Sequence, residues 1–197
     1  MTTTLRVVLD QLVAPTDPDL AMASRELTRA LVAAAPRGCE VSGVVPAAGD
    51  DALAEVRALE GLAGVESSPI PRRELATAVS LGLPSGLGAG MLHSPTLFAP
   101  LVRHDRVHNH EQTVVTIWDL TPWTHPERVS KASVAWHRAM LKRAEKLTMH
   151  ASERDPRCMG LGSAWSLGIA WTLRAQHGPH VQSMDPMSRA WTLCNVG

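Results

Sequence analysis

Two short stretches of the chain combine an apolar run with polar side chains that could bind a ligand. The motif M-L-H-S-P supplies His93 and Ser94, and the motif T-V-V-T-I-W-D-L supplies Trp118 and Asp119. Imidazole, hydroxyl and carboxylate groups orient hydroxyls through hydrogen bonds, and an indole ring packs against the apolar face of a ligand. We therefore consider His93, Ser94, Trp118 and Asp119 candidate substrate-binding residues.

The β-branched run before Asp119 predicts a buried parallel strand, because parallel strands covered on both faces are apolar at successive residues. Ligands of open α/β sheets bind just beyond the carboxyl ends of the strands, where Asp119 would lie. The alternative is an Asp that hydrogen-bonds the turn after a core strand. We expect this strand to form the centre of the sheet.

The first 46 residues predict a β-α-β unit. Residues 5–13 have the composition of a first strand, and residues 39–45 that of a second. Between them, Asp17 is placed to cap a helix that begins at Pro18, with Asp19 in its first turn. Such a unit opens a Rossmann-like parallel sheet with helices on both faces, so we expect an α/β fold.

The middle of the chain continues this pattern. Residues 50–60 and 71–81 predict helices, with a turn and a short strand at residues 61–70 between them. Residues 130–147 form an amphipathic helix whose apolar stripe includes Trp136.

Composition excludes several classes of function. The formal net charge of the 197 residues is zero, so nothing indicates binding to nucleic acid. The three cysteines, Cys39, Cys158 and Cys194, are widely spaced, which argues against a zinc knuckle or a disulfide framework. Neither a signal peptide nor a transmembrane segment is predicted, so we expect a cytoplasmic protein.

Two further segments leave alternatives open. The glycine-dense residues 82–90 could contact a phosphate, but they lack the G-K-[ST] ending, and a plain connector is the other interpretation. His104, His108 and His110 could meet a metal ion or could belong to a solvated loop. With no G-x-G-x-x-G motif either, we expect neither a metal nor a cofactor.

The motifs M-L-H-S-P-T-L-F-A-P-L, T-V-V-T-I-W-D-L and V-A-W-H-R-A-M-L-K-R-A together resemble the N-terminal domain of the retaining GT-B glycosyltransferases of family 4, actinobacterial type. The resemblance extends over residues 5–146. It implies one Rossmann-like half of a GT-B fold, on the acceptor side of the cleft, and transfer of a sugar from a nucleotide-sugar donor to a sugar acceptor.

The resemblance assigns His93 and Ser94 to the family's H-S-P motif, and Asp119 with Leu120 to its T-x-H-D-L motif. Trp118 stands where the family has a histidine, and an indole can stack on a sugar ring but cannot accept a proton. Residues 14–19, with Asp17 and Asp19, would approach the donor phosphates at the first helix N-terminus. The family's donor-binding domain has no counterpart here, so we expect little or no transfer by this chain alone.

The tail, residues 148–197, does not match the family. We expect a Rossmann-like domain over residues 1–147, followed by a poorly ordered tail that does not complete the fold. We hypothesise that the tail is read from a shifted frame, which the coding DNA around codon 147 would test; genuine but divergent termination is the alternative.

Two other functions stay open. The chain could be a non-catalytic α/β interaction module that self-associates through an open sheet edge. A metal-dependent hydrolase that uses the histidine cluster is the third possibility.

Overall fold

A computed structural model of the chain describes residues 3–83, 85–87, 90–101, 112–118, 120–152 and 191–194. The strands are β1 (Thr3–Val8), β2 (Cys39–Ala47), β3 (Val65–Pro71), β4 (Met91–Ser94), β5 (Gln112–Ile117) and β6 (Trp191–Cys194). The helices are α1 (Asp10–Val13), α2 (Pro18–Ala34), α3 (Asp50–Arg57), α4 (Arg72–Leu81), α5 (Thr121–Thr124) and α6 (Lys131–Ser152), with a 3₁₀ turn at Pro126–Arg128.

The strands form one sheet in the order β3-β2-β1-β4-β5-β6. The first five are parallel to one another, and β6 pairs with β5 in the antiparallel direction. The predicted α/β fold with a Rossmann-like sheet is therefore confirmed. The expectation that residues 113–117 form the centre of the sheet is wrong, because β1 and β4 are the central strands and β5 lies beside them.

Helices cover both faces of the sheet, and successive strand residues point into two separate cores. Val8 and Val44 pack in the core that α4 and α6 cover, with Leu75, Val79 and Met140. Their neighbours Val7 and Val45 pack in the second core, with Leu53 and Val56 of α3 and part-buried residues of α2. The near-continuous apolar strands of the sequence thus serve two buried faces, as in other parallel sheets.

The first strand is shorter than the sequence predicts. It ends at Val8, and residues 10–13 turn into α1 instead of extending the strand to residue 13. A short apolar run is compatible with either conformation, so its pattern alone could not locate the end of β1. Asp17 does cap α2 at Pro18, as expected: its Oδ1 accepts the backbone N–H groups of Asp19 and Leu20 at 2.7 and 3.4 Å.

The region after residue 147 contributes the end of a helix and a strand to the fold, which the sequence does not predict. Helix α6 continues to Ser152, and β6 pairs with β5 from Val114↔Cys194 to Ile117↔Trp191. β3 and β6 are therefore the edge strands of the sheet in the described part of the chain, and self-association through an open edge stays a prediction. Residues 153–190 and 195–197 lie outside the described residues, and the predicted domain boundary and shifted frame stay predictions.

Across the described parts of the chain, none of the helices has the length and apolar character needed to cross a membrane.

Candidate functional site

The strand order places a topological switch point at the carboxyl edge of the sheet. From β1 the chain moves to β2 and β3 on one side, and it then returns to β4 and β5 on the other. In open α/β sheets, ligands bind where the strand order reverses in this way. Val7 of β1 lies beside His93 of β4, so Asp10 follows one side of this switch point and Ser94 the other.

His93 is held at the end of β4 as a neutral imidazole. Its side chain is buried, and Nε2 lies 2.9 Å from Oγ1 of Thr116 on β5. Burial lowers the pKa of His93 from 6.5 to about 4. At neutral pH the ring therefore carries no charge, and it is suited to hydrogen bonding with a hydroxyl group and unsuited to neutralising a phosphate.

Ser94 braces the loop that follows β4. Its hydroxyl is fully buried and donates to the carbonyl oxygen of Phe98 at 2.9 Å. The backbone N–H of Thr96 donates to the Ser94 Oγ at 3.4 Å, and Thr96 Oγ1 accepts the N–H of Phe98 at 3.1 Å. The structure thus gives the predicted substrate-binding residue Ser94 a local positioning role.

Trp118 ties the end of β5 to the same loop. Its indole Nε1 donates to the carbonyl oxygen of Pro95 at 2.6 Å, and its side chain is half-buried. The structure therefore brings His93, Ser94 and Trp118 together at one edge, as their spacing predicts. Asp119 lies outside the described residues, so its role stays a prediction.

The two acids assigned to the donor phosphates lie at the N-terminus of α2. Asp17 already accepts the N–H groups of Asp19 and Leu20, which are donors that a phosphate would use. Neither carboxylate attracts a phosphate electrostatically. A donor-phosphate role for Asp17 and Asp19 stays a prediction, and their positions favour capping.

A partly buried ion pair just after β1 escaped the sequence analysis. Arg72, the first residue of α4, donates from Nε to Oδ2 of Asp10 at 2.9 Å. The Gln11 side-chain amide donates to the same oxygen at 2.8 Å, and Gln11 Oε1 accepts the backbone N–H and the hydroxyl of Thr16, both at 3.0 Å. Burial raises the pKa of Asp10, and the neighbouring Arg72 opposes that rise.

Arg72 also connects the two sides of the switch point. Its Cζ lies 5.2 Å from the centre of the Phe98 ring, within the range of a cation–π contact. Because the Phe98 carbonyl accepts from Ser94, the guanidinium links the end of β1 to the loop after β4. A signal was available in the sequence, since Asp10 and Gln11 interrupt the apolar run of residues 5–13, but no spacing rule pairs Asp10 with a residue 62 positions later.

The glycine-dense segment is described only in part. Gly82 ends α4 with φ 70°, and Gly86 and Gly90 have φ 66° and 97°. Such left-handed conformations are typical of turns, which agrees with the connector interpretation. Among the described residues, no three His, Cys, Asp or Glu side chains are grouped to hold a metal ion; His104, His108 and His110 lie outside them.

Comparison with known proteins identifies no relative: no protein-family model, curated protein or solved structure matches the chain.

Proposed function

We propose that this protein is a glycosyltransferase-like domain that binds a hydroxyl-rich sugar acceptor at the carboxyl edge of its sheet. In a complete enzyme of this kind, the acceptor would receive a sugar from a nucleotide-sugar donor. The observation that carries the proposal is the convergence of polar groups from β1, β4 and β5 on the single point where the strand order reverses.

The electrostatics of this edge favour a neutral ligand. His93 is uncharged at neutral pH, and Asp10 brings a carboxylate to the end of β1 that Arg72 offsets. A phosphate would meet little net positive charge there, whereas sugar hydroxyls can donate to and accept from such groups. The half-buried Trp118 indole offers the flat apolar surface on which pyranose rings stack.

The residues directly after β4, 95–98, support the same function because several side chains hold them in place. The Phe98 carbonyl accepts from Ser94, and the Pro95 carbonyl accepts from Trp118. The Phe98 ring also contacts the guanidinium of Arg72. Because ligand groups must be held in place before reaction, such bracing favours a binding site over a passive connection.

Isothermal titration of the full chain tests the proposal. The ligands are a panel of methyl pyranosides and myo-inositol as acceptors, with UDP-glucose and GDP-mannose as donors. We expect saturable binding of at least one acceptor, and little or no turnover when an acceptor and a donor are combined. Absence of binding by every acceptor would contradict the proposal, and efficient turnover would contradict the assignment to the acceptor side alone.

A pair of tryptophan variants locates the binding site. Trp118→Phe removes the indole donor to Pro95 and should weaken acceptor binding, because both the loop and the stacking surface change. Trp123→Phe is the matched control: Trp123 follows the same strand, but its ring packs edge-on against His137 at 5.7 Å. Equal affinities for the two variants would place the ligand elsewhere.

A further inference from the structure

The carboxylate of Asp10 has one oxygen that is satisfied and one that is not. Oδ2 accepts from Arg72 and from Gln11, whereas Oδ1 is buried without a hydrogen-bond partner among the residues that the structure describes. The side chain as a whole is only 1% exposed. A buried acceptor without a donor forfeits the full free energy of its hydration, so such groups are uncommon and frequently functional.

Arg72 has donors to spare beside this oxygen. Its Nε serves Asp10, and in the described part of the chain no hydrogen bond uses its two terminal nitrogens. The side chain is 24% exposed, so Arg72 is the member of the pair that reaches solvent. Among the described residues, the ion pair therefore combines an acceptor without a donor, Asp10 Oδ1, with the unused N–H donors of the Arg72 terminal nitrogens.

The pair lies beside the switch point of the sheet. Asp10 follows β1, Arg72 begins the helix that follows β3, and Phe98 belongs to the loop that follows β4. All three meet at the carboxyl edge beside the switch point, on the same edge as His93. An ion pair with a purely structural role could form at any position in the fold. Its position beside the switch point therefore favours contact with the ligand.

We propose that Asp10 and Arg72 bind two adjacent hydroxyl groups of the sugar acceptor. One hydroxyl donates to Asp10 Oδ1, and the oxygen of its neighbour accepts from a terminal nitrogen of Arg72. A vicinal diol supplies this donor and acceptor side by side, whereas a phosphate or a carboxylate could serve Arg72 only and would face the carboxylate of Asp10. The assignment rests on the proposed function and names the chemical group that this edge recognises.

Two variants test the assignment by titration with the same methyl pyranosides and with their monodeoxy analogues. Asp10→Asn keeps the shape of the side chain, but its oxygen would remain with Arg72 and Gln11, so an NH₂ donor would face the ligand hydroxyl. We expect it to weaken acceptor binding about tenfold or more, as loss of a charge-assisted hydrogen bond does. Arg73→Ala, at the next and exposed position of α4, is the control and should leave the affinity unchanged.

The unaltered protein supplies a second measurement that does not depend on the stability of a variant. The side-chain Nε–H resonance of Arg72 should shift with saturation on titration with the tightest pyranoside, and should not shift with the analogue that lacks one of the two hydroxyls. Inorganic phosphate and acetate are the anion probes. A larger response to either of them than to the pyranoside would overturn the vicinal-diol assignment.

The outcomes separate this assignment from the function on which it rests. If the pyranosides bind Asp10→Asn as tightly as the unaltered protein, and the Arg72 resonance does not respond, the assignment is wrong while sugar binding stands. If no pyranoside binds the unaltered protein, the proposed function and the assignment fail together.

Discussion

The histidine at the end of β4 should make the stability of this protein depend on pH. Burial lowers the pKa of His93 from 6.5 to about 4, so between these values the unfolded chain binds a proton that the folded protein excludes. The contribution of His93 to the unfolding free energy is fully present above pH 6.5 and is lost as the pH falls toward 4. By proton linkage, the unfolding free energy attributable to His93 should decrease by about 2 kcal/mol from pH 7 to pH 5.

The variant His93→Gln isolates this contribution. Glutamine has no proton to gain in this range, and its amide can replace Nε2 as the hydrogen-bond partner of Thr116. Urea unfolding followed by far-UV circular dichroism at pH 7, 6 and 5 gives the free energy for both proteins. The unaltered protein should lose about 2 kcal/mol more than His93→Gln over this interval.

Two features keep the comparison interpretable. The pKa of Asp10 is raised in the folded protein, so its contribution changes with pH in the opposite direction, but it is common to both proteins and cancels in the difference. His125→Gln, at a histidine whose side chain is 54% exposed, is the matched control for replacing a histidine by glutamine. Parallel curves for His93→Gln and the unaltered protein would refute the buried, neutral imidazole.

Three further substitutions test the elements that support the site, each by urea unfolding at pH 7. Asp17→Ala removes the cap of α2 and should cost about 1 kcal/mol, whereas an unchanged midpoint would argue against the cap. Ser94→Ala leaves the buried Phe98 carbonyl without its donor and should cost about 1–2 kcal/mol, together with faster proteolysis in the loop after β4; an unaltered cleavage rate would contradict the bracing role. Gly82→Ala should cost about 1–2 kcal/mol, because φ is 70°, a left-handed conformation that side chains with a Cβ rarely adopt, and a neutral result would contradict that backbone conformation.

Local signals in the sequence identified the elements well. The Asp17-Pro18 pair located the start of α2, and the β-branched runs located β2 and β5, because each signal depends on residues next to one another. The central position of β5 was predicted wrongly, since strand order depends on contacts between distant segments. Residue 13 was likewise a poor estimate for the end of β1.

The candidate site was predictable only where it lies on strand ends. His93 and Trp118 follow apolar runs, so their position at the carboxyl edge could be inferred. The link between Asp10 and Arg72 could not, because it joins the end of β1 to the start of α4 and depends on β2 and β3 lying on one side of β1. Ser94 was assigned to the ligand, but its hydroxyl bonds within its own loop.

The location of bound ligand tests the central claim most directly. A titration of the ¹⁵N-labelled chain with the acceptor sugars reports on every backbone and indole N–H group. We predict saturable shifts of the Trp118 indole and of the backbone N–H groups of residues 93, 94 and 96–98, with no change for Cys39 or Met91 at the opposite ends of β2 and β4. Shifts confined to the Cys39 and Met91 end, or no saturable shift with any sugar, would contradict a sugar-binding site at the carboxyl edge.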